Sequence, residues 1–199
     1  LNIGRLGFLA DIQEDEIEDA LLALFDKQYE IEERTLLQAS TTNKAFAPFD
    51  VAMNDVAVHK KNAVSMITIH AYINDVLLNA YWADGLIIAS PTGSTAYSLS
   101  VGGPIVIPSA KNFIITPIAP HNLTVRPVVV PDDSTIHLRI SGRANSYLAS
   151  LDSRLKVLDT AQEVTIKKAP YHVKMLKLPE RHFYATLRNK LMWGMDKRN

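Results

Sequence analysis

From about residue 30 the apolar residues recur at every second position, and this period constrains the fold more than any other feature of the chain. Ile67, Ile69, Ala71 and Ile73 alternate with Met66, Thr68, His70 and Tyr72. Successive side chains of an extended backbone point to opposite faces, so such alternation predicts a strand with one face buried. Segments 76–82, 86–90, 123–130, 135–141, 146–151, 163–169 and 173–178 also read as strands. Turn signals at Asn74-Asp75, Pro131-Asp132-Asp133 and Ser141-Gly142 separate several of them. Seven or eight short strands in succession predict a mainly β chain, built as an antiparallel β-sandwich.

Both ends depart from this period. Asp11 is placed to cap a helix, with Glu14 at the reciprocal position of a capping box. Ile17, Ala20, Leu21, Leu24 and Phe25 then share one helical face. Near the other end Phe183, Tyr184, Leu187 and Leu191 do the same over about 181–193, with Gly194 as a stop signal. The expected division is residues 1–28 as a remnant of a neighbouring domain, 29–178 as the sandwich, and 179–199 as a helix returning to that neighbour. The chain opens in mid-motif at Leu1, and it reads as a fragment.

Composition narrows the function classes. Of 199 residues, 47% are hydrophobic and 21% charged, the balance of a globular protein. Basic and acidic residues number 21 each, so no net field draws the chain to nucleic acid or to an anionic membrane. With no cysteine, disulfides, thiolate catalysis and cysteine zinc sites are excluded. There is no signal peptide and no long apolar run, which predicts a cytoplasmic protein.

Candidate chemistry concentrates in DGLIIASPTGSTAYSLSVGGPIVIP, residues 84–108. An acid and a glycine open an apolar strand, which delivers a Gly/Ser/Thr turn to a possible helix start at Thr95–Val101. Small residues let backbone N–H groups approach a ligand, hydroxyls supply further donors, and a helix amino terminus favours a phosphate. The same residues also make an ordinary capped turn with no ligand. A lysine of the Walker type is absent, as is G-x-G-x-x-G, so the segment is neither a P-loop nor a Rossmann fingerprint. Asn54-Asp55 reads either as a turn before a strand or as an amide and a carboxylate aimed at ribose hydroxyls.

Taken together, NIGRLGFLA at 2–10, NDVAVH at 54–59, the motif at 84–108, ITPIAPHNLTVRP at 115–127 and LRNKLMWG at 187–194 resemble the NAD kinase family over essentially the whole chain. The resemblance implies transfer of the terminal phosphoryl of ATP, with Mg2+, to the 2′-hydroxyl of the adenosine ribose of NAD. It implies that the flanking helices belong to an amino-terminal α/β domain. The family's catalytic aspartate lies there in a Gly-Gly-Asp-Gly motif, which does not occur in residues 1–199. No catalytic residue is therefore assigned in this chain, and it is expected to hold NAD without phosphorylating it alone.

By the same resemblance Asn54 and Asp55 would hold ribose hydroxyls and the nicotinamide end. The acid of that pair is one methylene shorter than the family's commoner glutamate. Asp84 would bind the carboxamide or a ribose, and Thr95, Ala96, Tyr97, Ser98, Leu99 and Ser100 would line the pocket, with Tyr97 as a surface for a ring. Ser65 and Trp82 stand where relatives often carry a histidine or a basic residue, so any contact they make differs in chemistry. Ala119 lies in a stretch that closes over NAD, and Arg154 is placed to meet a phosphate bidentately. His121 reads as structural, and no metal site is assigned. Family members pair through the sandwich, which implies a homodimer or homotetramer. Two other readings remain: a noncatalytic β-sandwich interaction module, and a lipid kinase of the diacylglycerol type.

Overall fold

The computed structural model describes Phe8, Ile12 and residues 14–62, 66–179 and 182–192. After a 3-10 turn at Glu14–Glu16 the order is α1 (Ile17–Phe25), β1 (Glu30–Ser40), β2 (Val51–Ala52), β3 (Asp55–Lys60), β4 (Ile67–Ile73), β5 (Val76–Ala83) and β6 (Gly85–Ala89). A second 3-10 turn at Thr92–Thr95 leads to α2 (Tyr97–Ser100). Then come β7 (Asn112–Ile118), β8 (Val128–Pro131), β9 (Ile136–Gly142), β10 (Ser146–Leu151), β11 (Arg154–Asp159), β12 (Val164–Lys177) and α3 (Phe183–Leu191).

The strands form two six-stranded sheets, ordered β2-β1-β12-β9-β4-β5 and β11-β10-β3-β6-β7-β8. The alternating pattern explains how they join. Ile67, Ile69 and Ala71 of β4 point inward with Ile136, Leu138 and Ile140 of β9, and they meet Val56, Val58, Leu86, Ile88, Phe113, Ile115 and Tyr147 of the second sheet in one core. The opposite face of the second sheet is apolar too: Ala57, Ile87, Ala89 and Ile114 are fully buried there, with Val101, Val106 and Ile118 packed over them. Strands β3 and β6 are thus buried on both faces, which matches their near-continuous apolar sequence.

Local differences from the sequence reading have physical causes. The Asn74-Asp75 turn joins β4 to β5 with both residues at positive φ (47° and 66°), the conformation of the tightest hairpins. Ser141-Gly142, expected as a turn, ends β9 instead, paired with Thr68 and Ile67. Of 123–130 only residues 128–130 are sheet, at the start of β8. The preceding residues form a turn, in which the Asn122 side chain accepts the Thr124 N–H at 3.1 Å and Arg126 donates to the Leu123 and Val125 carbonyls at 2.7 and 2.8 Å. Segments 163–169 and 173–178 are one long strand, β12.

The chain divides into two compact units, residues 1–33 with 174–199, and residues 34–173. In the first, Ala20 of α1 and Leu187 of α3 are buried. Asp11 and Gly194 lie outside the described residues, and α1 starts after Glu16, whose side chain makes no capping bond. The left-handed residue that ends α3 is Met192, at φ 55°. The second unit holds both sheets' cores and the candidate site.

Candidate functional site

Strand pairing brings the two sequence motifs to one end of the second sheet. Asp55 lies opposite Ala89, so the polar pair before β3 and the bend after β6 leave the sheet side by side. Buried Ser90 joins them. Its N–H donates to the Asn54 carbonyl at 2.9 Å and its hydroxyl to the Met53 carbonyl at 2.6 Å, while the Gly93 N–H donates to that hydroxyl at 3.1 Å. Only glycine fits at position 93, because a Cβ there would overlap the Asn54 carbonyl.

The same pair is gripped from a third segment. Asp152, in the turn between β10 and β11, accepts the N–H groups of Met53 (2.9 Å), Asn54 (2.7 Å) and Asp55 (3.2 Å) on its carboxylate. Asp55 is itself buried, and its pKa is raised to about 6 by desolvation first and by the neighbouring Asp152 charge second. Arg154, exposed, donates to the carbonyls of Phe49 (2.9 Å) and Val51.

Beyond Ser90 the bend runs through the 3-10 turn, breaks at Ala96 (φ −101°, ψ −132°) and enters α2. The helix predicted from Thr95 is a single turn, too short for its dipole to matter much. Thr95 Oγ1 donates to the Thr92 carbonyl at 3.3 Å, and the Leu99 N–H donates to the Ala96 carbonyl at 3.1 Å. Ser98 is fully buried and its Oγ lies 2.9 Å from Thr116 Oγ1 of β7, which pins α2 over the outer face of the sheet. Leu99 is half-buried; Tyr97 and Ser100 are exposed. The Tyr97 ring stacks on His59 of β3, with centroids 5.8 Å apart and planes at 22°. Burial lowers the pKa of His59, so its neutral ring is favoured under the phenol.

A second cluster gathers at the other end of β6. Asp84 precedes Gly85, where a Cβ would run into the Val58 carbonyl. Asp84 Oδ1 is 2.6 Å from Lys60 Nζ. Its N–H donates to the Ile118 carbonyl at 3.0 Å, and its own carbonyl accepts the Lys60 N–H at 2.9 Å. Trp82 is 54% exposed and its ring lies against His121, centroids 4.6 Å apart. Ala119 is exposed, in the left-handed region at φ 44°. Ser65 lies outside the described residues.

Asn54, Asp55 and Thr95 therefore sit around one end of β6, and Asp84, Trp82 and Ala119 around the other. Asp55 and His59, with Tyr97 upon it, share the outer face of β3 four residues apart, roughly 13 Å at the rise of a strand. Asp152, Ser90, His59, Lys60 and Thr116 were not picked out from sequence. Their long-range partners lie 18 to 99 residues away; Ser90, His59 and Thr116 fall inside the quoted motifs and Asp152 lies beside the Arg154 already noted, but nothing in those motifs marked them individually.

Residues 53–178, most of the second unit and all of these groups, match the family model for the ATP-NAD kinase C-terminal domain. The chain belongs to the NAD kinase family. Two curated NAD kinases, from Flavobacterium johnsoniae and Flavobacterium psychrophilum, are 52% and 51% identical over 201 residues, spanning 100% of this chain and 68% of each relative. Among solved structures, yeast NADH kinase complexed with NADH superimposes with a TM-score of 0.89 at 26% identity, over 98% of this chain and 60% of that one. An NAD kinase from Archaeoglobus fulgidus in complex with ATP gives 0.81 at 28% identity, over 96% of this chain and 72% of that one. The chain thus spans about two thirds of its curated NAD kinase relatives. The mainly antiparallel architecture agrees with the expected sandwich of this family.

Proposed function

We propose that this chain supplies the NAD-binding side of an NAD kinase, which phosphorylates the 2′-hydroxyl of the adenosine ribose with ATP as donor. The observation that carries the reading is the placement of half-buried Asn54 and buried Asp55 at one end of β3, with the exposed Tyr97 ring further along its outer face. That separation suits a ligand with hydroxyls at one end and a flat ring at the other. Asn54 and Asp55 would meet ribose hydroxyls. Tyr97, steadied by His59, would lie against a ring. Asp84, oriented by Lys60, would take a carboxamide or a ribose. Thr95, Ala96, Leu99 and Ser100 would shape the wall between, with the buried Ser98 holding α2 in place beneath them instead of facing the ligand, while Trp82 and Ala119 would border the Asp84 end.

In-line transfer requires chiefly that the acceptor be held and the charge be neutralised. The O2′–P bond forms as the bond to the ADP oxygen breaks, and the 2′-proton passes to a carboxylate. The family resemblance puts that carboxylate in Gly-Gly-Asp-Gly, a string not found in residues 1–199. Mg2+ would accompany the ATP phosphates. Among the described residues no three His, Asp or Glu side chains converge to hold an ion, so no step is assigned to a metal on these side chains. No helix among the described residues is long and apolar enough to cross a membrane. A cytoplasmic homodimer or homotetramer is part of the proposal.

Calorimetry of the 199-residue chain tests the reading. NAD should give a saturable isotherm that Tyr97→Ala and Asp84→Ala weaken. An isotherm indifferent to both variants, or none at all, would reject it and favour a noncatalytic interaction module.

A further inference from the structure

The turn between β10 and β11 does more than reverse the chain. Leu151 and Arg154 close it as a paired position, leaving Asp152 and Ser153 as the loop, with Asp152 in the left-handed region at φ 51°. An aspartate tolerates that conformation at small cost. It turns the carboxylate back on the segment before β3, where it accepts three consecutive N–H groups, those of residues 53, 54 and 55, at 2.9, 2.7 and 3.2 Å. The Asp152 N–H completes the lock on the Asp55 carbonyl at 2.9 Å. Two residues on, Arg154 donates both terminal nitrogens to the carbonyls of Phe49 and Val51 in the same incoming segment.

We infer that Asp152, assisted by Arg154, is a positioning residue that sets the Asn54-Asp55 pair for its ligand; the inference rests on the NAD-site reading above. A carboxylate acceptor makes stronger bonds to N–H than a neutral oxygen does, and three together fix the backbone from which both side chains project. The grip extends further. The Asn54 carbonyl accepts the Ser90 N–H, and the Ser90 hydroxyl in turn holds the Gly93 N–H, so residues 53–55 also anchor the start of the bend. One carboxylate thereby sets two parts of the site. Structural stability alone does not require this arrangement at the polar pair, because the β10–β3 ladder already fixes the strand that follows, from Val56 opposite Leu151 to Lys60 opposite Tyr147.

The test combines amide exchange with NAD binding. Asp152→Asn keeps the size but replaces the oxygen that serves Met53 with a donor, and it leaves Asn54 and Asp55 on a neutral oxygen in place of a charged one, so one bond is lost and two are weakened. In the 199-residue chain, exchange at Met53, Asn54 and Asp55 should quicken by about tenfold or more while Leu86 and Ile88 stay unchanged, and the NAD affinity should fall by about tenfold. In a background that carries both Asn54→Ala and Asp55→Ala the same change should cost about threefold or less, whereas in a Tyr97→Ala background the full loss should persist. Arg154→Ala, which leaves the carboxylate in place, should weaken NAD by about threefold, and it decides the matter if Asp152→Asn does not fold. Unchanged exchange at 53–55 overturns the inference. So does faster exchange with NAD affinity intact while Asn54→Ala still weakens NAD; the site reading then survives and the clamp is only structural. A wild-type chain that binds no NAD rejects both.

Discussion

Gly93 lies so close beneath the Asn54 carbonyl that a single methyl on its Cα would overlap that oxygen. The obstacle is backbone, not a side chain that can swing aside, so Gly93→Ala must push the bend away from the polar pair. Overpacking of this kind costs about 1–3 kcal/mol, and here the upper end is expected. The melting temperature should fall by about 6–12 °C, and NAD affinity should fall with it.

Asp55 makes stability depend on pH. Its folded pKa, about 6, lies above the ordinary 3.8, so between those values the folded chain binds more protons than the unfolded one. Stability is then lost as pH rises through that window, and the whole penalty is present above it. Urea unfolding at pH 5 and pH 8 should show the wild-type chain losing about 1–2 kcal/mol relative to Asp55→Asn, which has no carboxyl to ionise. A difference that does not change with pH, or one that changes in the opposite sense, would contradict this.

The buried pair Ser98 and Thr116 offers a double-mutant cycle. Thr116→Val leaves the Ser98 hydroxyl buried without its partner, at a cost of about 1–3 kcal/mol. Ser98→Ala does the converse. The double variant should be less destabilised than the sum of the two, and strict additivity would show that the hydroxyls do not act together.

Tyr97 should act through its ring. Tyr97→Phe keeps the stack on His59 and should leave NAD affinity within about twofold, whereas Tyr97→Ala should lose about five- to tenfold. Equal losses in the two variants would assign the effect to the hydroxyl.

In an enzyme that also contains the Gly-Gly-Asp-Gly segment, Asp84→Ala should raise KM for NAD by about tenfold or more and leave KM for ATP within about twofold if, as proposed, its Lys60-paired carboxylate meets the acceptor. Steady-state kinetics with each substrate varied in turn checks this, and the reverse pattern would move Asp84 to the donor side.

Much of the architecture was legible in the sequence because alternation reports burial directly. The β4–β5 hairpin is the clearest case, with Ile67, Ile69 and Ala71 buried and Asn74-Asp75 at its tip. The apolar residues of 123–127 misled because they belong to a turn held by Asn122 and Arg126, whose side-chain bonds leave no periodic trace. Ser141-Gly142 looked like a turn because its composition is that of one, yet pairing with β4 extends the strand through it. In the site, Asn54-Asp55 and residues 84–108 stood out by residue type. Their proximity was not legible, since it depends on the β3–β6 register, and neither was the grip of Asp152 from 97 residues away. Long-range hydrogen bonds to backbone N–H groups depend on the folded path of the chain and are written in no local pattern.

The decisive measurement is an NAD titration of the isotopically labelled 199-residue chain, followed residue by residue through its amide resonances. Saturable shifts should concentrate at Asn54, Asp55 and Gly93 through Ser100, with Asp84 and Ala119 also moving and the β9 and β12 amides still. Shifts confined to residues remote from β3 and β6, or none at millimolar NAD, would contradict the assignment of this face as a dinucleotide cradle.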